Sequence, residues 1–197
     1  MYPWQRPVVG ILLAFCATLP AAAAAQQGVI RFLHFNDSYR IQPVRGLGGM
    51  AELATLIARQ RAAARAAGWP TVLTHGGDLI SPSLLSSLTK GRHMIELVNM
   101  LGMDIAVLGN HEFDHGADVL RARMKESRFP WLATNVVGPD GKPFGTAIAT
   151  AVAQVGGFKV GFFGVMTPEA RLYIKGDVPV TFRPYLPAAR AAVARLK

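Results

Sequence analysis

The sequence predicts a layered α/β fold on largely parallel strands, with a β-hairpin late in the chain. Three observations predict it. Short β-rich runs alternate with stretches of helical period. Each of the first three β-rich runs is followed by a polar loop, and glycine lies in or beside the polar residues. Beyond position 147 two β-rich runs are separated only by Gly156-Gly157, a tight-turn signal.

The elements follow in order. Residues 29–35 are apolar and β-rich and read as a first strand, with a polar loop over 36–47. Gly48-Gly49 opens a helix over 50–67, with Leu53, Leu56 and Ile57 at helical spacing, and Gly68 ends it. Residues 71–74 form a second strand, and Gly76-Gly77-Asp78 turns sharply after it. A helix spans 93–101, where Met94, Leu97, Val98 and Leu101 share one face. Residues 105–108 form a third strand, followed by a polar loop over 109–116 and a helix over 117–126. Residues 131–137 read as a fourth strand, 147–155 and 158–165 as the hairpin, and 186–197 as a last amphipathic helix.

Composition bounds the function. The 197 residues are 51% hydrophobic and 17% charged, which excludes a disordered chain. The single cysteine, Cys16, excludes a disulfide framework and a cysteine-built zinc site. Any metal must therefore use oxygen and imidazole ligands. Arg6 is the only charge in the first 30 residues. An apolar run over 8–19, Pro20 and five alanines at 21–25 follow it. That is the layout of a cleavable signal peptide over 1–25, and the run is too short to span a bilayer. The expected destination is the periplasm or the exterior, with no stable membrane anchor. Residues 26–197 carry 20 Lys+Arg against 12 Asp+Glu. Apart from Arg59, Arg61 and Arg65 on one Ala-rich stretch, the basic residues are scattered, so the charge reads as solvated surface and no nucleic-acid partner is expected.

The chemistry-bearing residues follow the strands. Asn36-Asp37, Gly77-Asp78 and Gly109-Asn110-His111 come directly after the first, second and third strands. In a parallel α/β sheet such ends converge on one crevice. Carboxylate and amide oxygens suit divalent cations, and two metals ~3.5–4 Å apart can clamp both oxygens of a phosphoryl transfer. Asp78 is the candidate bridge, since the preceding glycine allows a close backbone approach. Asn110 can ligate without adding charge. His111 can stabilise a phosphoryl group or protonate a leaving oxygen, with Asp114 orienting its imidazole.

The segments Leu33-His-Phe-Asn-Asp37, Gly76-Gly-Asp78-Leu-Ile-Ser-Pro-Ser83 and Gly109-Asn-His-Glu-Phe-Asp114 resemble the calcineurin-like metallophosphoesterases. Within them they resemble the secreted 5′-nucleotidase / 2′,3′-cyclic phosphodiesterase family. The resemblance runs from about residue 29 to the last. It implies that Asp37 binds one metal, Asp78 bridges two and Asn110 binds the second, with His111 and Asp114 as the catalytic dyad. It implies in-line attack on phosphorus by a hydroxide held between two ions, Zn²⁺, Mn²⁺, Co²⁺ or Fe. The implied partner is a small-molecule phosphate ester, a nucleotide first of all. A non-catalytic metal- or phosphate-binding relative is the alternative.

Two departures stand out. The family pattern at the first strand is Asp-x-His, whereas this chain has Asp37-Ser38-Tyr39. A neutral phenol is a poor ligand. Tyr39 therefore leaves four readings: a metal one ligand short, a deprotonated phenolate, a hydrogen-bond donor to substrate, or a ring that only packs beside the site. The family also completes its site with later histidines in a Gly-His-x-His run, which this sequence does not contain. Residues 26–197 are thus expected to be the N-terminal part of a longer phosphoesterase domain, with weak or no hydrolase activity alone. Of the other histidines, His34 is expected to pack on its strand, His75 to end the second strand, His93 to be exposed and His115 to start a helix.

Overall fold

A computed structural model describes residues 28–197, so the expected signal peptide lies outside the described residues. Strand β1 (Arg31–Phe35) pairs in parallel with β2 (Thr71–His75), β2 with β3 (Ile105–Val107), and β3 with β4 (Trp131–Leu132). The spatial order β1-β2-β3-β4 follows the chain. Each connection carries helix: α1 (Met50–Ala66), then α2 (Leu84–Thr89) and α3 (Arg92–Leu101), then α4 (Ala117–Glu126). This is the repeated strand–helix–strand unit that places all strand C-termini on one side.

Alternation along β1 separates the layers. Arg31 points at the helices, where its guanidinium lies 5.1 Å over Trp69 and donates to Gln60 Oε1 at 3.0 Å. Phe32, on the other face, meets Phe162 edge-on with centroids 6.3 Å apart. Phe162 belongs to β7 (Phe158–Phe163), which forms the hairpin with β6 (Thr150–Val155). Gly156 and Gly157 both have positive φ, 55° and 88°, as the mirror-image turn of a two-residue hairpin requires. Helix α5 (Tyr185–Leu196) packs outside that hairpin, with Leu196 against Gly161. The core lies between sheet and helices: Leu73 and Ala106 from the strands, Ile57, Ile95, Val98 and Leu120 from the helices.

The fourth strand departs from expectation. Residues 131–137 split into β4 and β5 (Val136–Val137), and β5 pairs antiparallel with β8 (Thr181–Phe182) outside the main sheet. Asn135 is the cause. Its buried amide accepts from Met166 N–H at 2.8 Å and donates to Met166 O at 2.7 Å and Arg183 O at 2.8 Å. One polar residue thereby finds three backbone partners off the sheet and turns the chain away. Helix α2 also has no counterpart in the periodicity. It is short and capped by Ser83, whose Oγ accepts from Ser86 N–H at 3.0 Å. Among the described residues no helix is long and apolar enough to cross a membrane.

Candidate active site

The loop after β1 is fastened to the loop after β2. Asp37 N–H donates to Gly77 O and Ser38 N–H to Asp78 O, both at 3.1 Å. Asp37 and Asp78 both have left-handed backbone, with φ of 53° and 61°. Asp tolerates that region better than most residues. His75 ties the same two loops. Gly77 N–H donates to its Nδ1 at 3.1 Å, so its proton sits on Nε2 and is donated to Ser38 Oγ at 2.8 Å.

His75 is only 1% exposed. Burial, reinforced by repulsion from His34 and partly opposed by Asp37, lowers its pKa to about 4. Between pH ~6.5 and that value the unfolded chain binds a proton that the folded chain refuses, so stability falls on acidification. The contribution is complete above the unfolded pKa and fades toward pH 4. The stability advantage of wild type over His75→Gln, from urea denaturation, is therefore expected to shrink by about 2–3 kcal/mol between pH 7.5 and 4.5. An advantage independent of pH would contradict the neutral, doubly bonded imidazole.

The loop after β2 is fastened to the loop after β3, where Asn110–Phe113 form one 3₁₀ turn. Asp78 Oδ1 accepts His111 N–H at 2.9 Å. Burial raises the Asp78 pKa, the His111 amide and charge oppose the rise, and Asp37 and Asp114 add to it. Glu112 is wholly buried and accepts three backbone N–H groups: Leu79 at 2.6 Å, Asp78 at 2.9 Å and Gly109 at 2.5 Å. Burial raises its pKa to about 7, against the pull of the Leu79 bond, and Asp78 adds to the rise.

His111 Nδ1 donates to Asp114 Oδ2 at 2.7 Å, and Ser81 Oγ donates to the same oxygen at 2.8 Å. This leaves His111 Nε2 as the nitrogen directed away from the pair. Partial burial acts to lower the His111 pKa, but the Asp114 bond and charge, with Asp78 and Glu112, outweigh it and raise the value. The Tyr39 ring lies beside His111, with centroids 6.2 Å apart and planes inclined at 59°.

The strand-end residues singled out in sequence therefore sit on three loops bonded in series, first to second and second to third. Asp37, Asp78, Asn110, His111 and Asp114 are brought together, and Tyr39 borders them. A cavity of about 630 Å³ opens beside Asp37 and Tyr39 toward α1, and Asp78, Asn110 and His111 do not line it. Three groups that fasten the loops were missed: Glu112, Ser81 and the His75–Ser38 pair. Two histidines differ from expectation. His34 is exposed and bonds Thr74 Oγ1 at 2.8 Å; the hairpin that meets Phe32 on the same face leaves position 34 open. His93 is half-buried and bonds Thr89 Oγ1 at 2.6 Å.

Residues 30–158 match the calcineurin-like phosphoesterase family model. The chain belongs to the calcineurin-like phosphoesterase family.

Related sequences and structures agree with that assignment. A snake venom 5′-nucleotidase from Gloydius brevicauda is 33% identical over 79% of this chain. A 5′-nucleotidase from Vibrio cholerae is 31% identical over 94% of it. The chain spans only 28% and 34% of those two relatives. The crystal structure of a 5′-nucleotidase precursor from Thermus thermophilus superposes with a TM-score of 0.74 at 28% identity. That match covers 85% of this chain and 34% of the other.

Members of this family use divalent metals, typically two. The residues of this phosphoesterase chain suit the oxygen side of such a site. Asp37 and Asp78 supply carboxylates and Asn110 a neutral carbonyl oxygen, all hard donors. Asp78 lies in a cradle with no spare room: a Cβ on Gly109 would stand 2.2 Å from Asp78 Oδ1. Among the described residues no group of three or more His, Cys, Asp or Glu is placed to hold a metal. The oxygen donors these three residues offer are two carboxylates and one amide.

Proposed function

We propose that this chain carries the strand-end half of a divalent-cation-dependent phosphoesterase site that hydrolyses nucleotides or related phosphate esters. The observation behind this reading is the fastening of three successive strand-end loops, which sets Asp37, Asp78 and Asn110 beside the His111–Asp114 pair. Asp37 would hold one ion, Asp78 both and Asn110 the second, the ions being Zn²⁺, Mn²⁺, Co²⁺ or Fe. When bound, the ions supply Lewis acidity toward the phosphoryl oxygens and activate a water.

The chain's own groups do the rest. Asp114 takes the His111 Nδ1–H, which orients the ring and favours its protonated form. Nε2 is then the atom from which a proton reaches the leaving oxygen. Tyr39, beside that ring, would donate to substrate. The signal peptide proposed over 1–25 would send the domain from residue 26 onward to the periplasm or the exterior.

In the full protein, phosphate release from a nucleoside monophosphate is expected to need Mn²⁺ or Co²⁺ and to stop on chelation. Asp78→Asn should lower it at least about a hundredfold, since the carboxylate that would serve both ions loses its charge. Turnover indifferent to chelation would refute the proposal. The three-group donor set and Tyr39 in place of histidine also favour a second reading, a module that binds metal or phosphate without turnover. Tight Mn²⁺ binding with no phosphate release from any ester would establish that reading instead.

A further inference from the structure

We propose that Glu112 is a positioning residue: its buried carboxylate sets the separation of the Asp78 and Asn110 loops, and through it the affinity of the divalent site. This rests on the metal-dependent reading above.

Glu112 has no exposed atom through which to reach a cation or a substrate, being 0% exposed. Its two oxygens are instead occupied by backbone N–H groups from two different loops. Oε1 accepts from Leu79, and Oε2 accepts from Asp78 and from Gly109. A residue that merely capped its own 3₁₀ turn would take the Gly109 amide alone. The two bonds to residues 78 and 79 reach across to the neighbouring loop and have no role in that turn.

Asp78 is consequently pinned at both ends by the residues that follow Asn110. Its main-chain nitrogen is held by Glu112 and its carboxylate by the His111 amide. The packing allows no slack inward, because Gly77 and Gly109 already touch. A Cβ on Gly77 would stand 2.7 Å from Gly109 N. Contact limits how close the loops come, and the Glu112 bonds limit how far they part. Only an ionised or ionisable carboxyl has acceptors for all three amides. Glutamine has one acceptor oxygen, and its amide nitrogen would confront an N–H. Groups that orient metal ligands from behind typically cost about 10–100-fold in metal affinity when altered.

The test compares wild type, Glu112→Gln and a stability control in the full protein. Mn²⁺ affinity is read by electron paramagnetic resonance of the free ion, which needs no turnover. Hydrogen exchange reports the amides of residues 78, 79 and 109. Glu112→Gln should weaken Mn²⁺ binding about 10–100-fold and speed exchange at those amides, with the far-UV spectrum kept. Val98→Ala, at a buried position of α3 and not on the loops, should lower the melting temperature and leave the affinity within about twofold. Should Glu112→Gln not fold, Glu112→Asp, whose shorter arm cannot span both loops, takes its place with the same expectation. Mn²⁺ affinity unchanged in the Glu112 variant overturns the positioning role. Wild type that binds no Mn²⁺ yet keeps slow exchange at 78, 79 and 109 overturns the metal reading and leaves the loop cross-link standing.

Discussion

Replacing His111 with alanine is expected to lower kcat for phosphate release by about 10²–10⁴, the range that general acid–base groups contribute. KM should move only a few-fold, because the proton transfer is made in the transition state and not on binding. The reason is geometric. Nδ1 is committed to Asp114, so Nε2 alone remains for the leaving oxygen. Asp114→Asn keeps an acceptor for Nδ1 and removes the charge. It should cost less in rate and shift the alkaline limb of the kcat profile to lower pH, since Asp114 is what raises the His111 pKa against partial burial. Ser81→Ala should act in the same pair through Asp114, by loss of the bond to Oδ2. Steady-state phosphate release with saturating Mn²⁺ measures all three. A His111→Ala protein with near-native kcat would remove the imidazole from the chemistry.

Much of this arrangement was legible in sequence, for a specific reason. Alternation of period located the strands, and parallel topology then required the residues after them to meet. Asp37, Asp78 and Asn110 needed no long-range information beyond that. Glu112 was legible only as a letter within the Gly-Asn-His-Glu-Phe-Asp run. Its role depends on amides more than 30 positions earlier in the chain, and hydrogen bonds between loops leave no period to read. The split of residues 131–137 has the same origin. Val136 and Val137 carry strand-like side chains, while the bonds that redirect the backbone come from Asn135 to residues 166 and 183. His34 was misplaced because strand alternation gives two faces and does not say where the cover on either one ends.

The contact between the loops predicts a large stability effect at Gly77. Gly77→Ala is expected to destabilise the fold by about 2–6 kcal/mol, from two additive sources. Gly77 has φ of +103°, outside the regions open to L-residues, and forcing alanine there costs ~1–3 kcal/mol. The new methyl would also meet Gly109 N at 2.7 Å and Gly109 Cα at 2.8 Å, both backbone atoms that cannot rotate away. Overpacking of that kind typically adds ~1–3 kcal/mol. Gly68→Ala separates the two terms, because Gly68 also has positive φ, +71°, but nothing lies within 4 Å of its Cβ position. It should cost about 1 kcal/mol, from backbone strain alone. Urea denaturation of the two variants in chelator, against wild type, reads the difference directly. Equal losses would mean that the Asp78 and Asn110 loops do not touch at their glycines, and the contact that limits their approach would be lost.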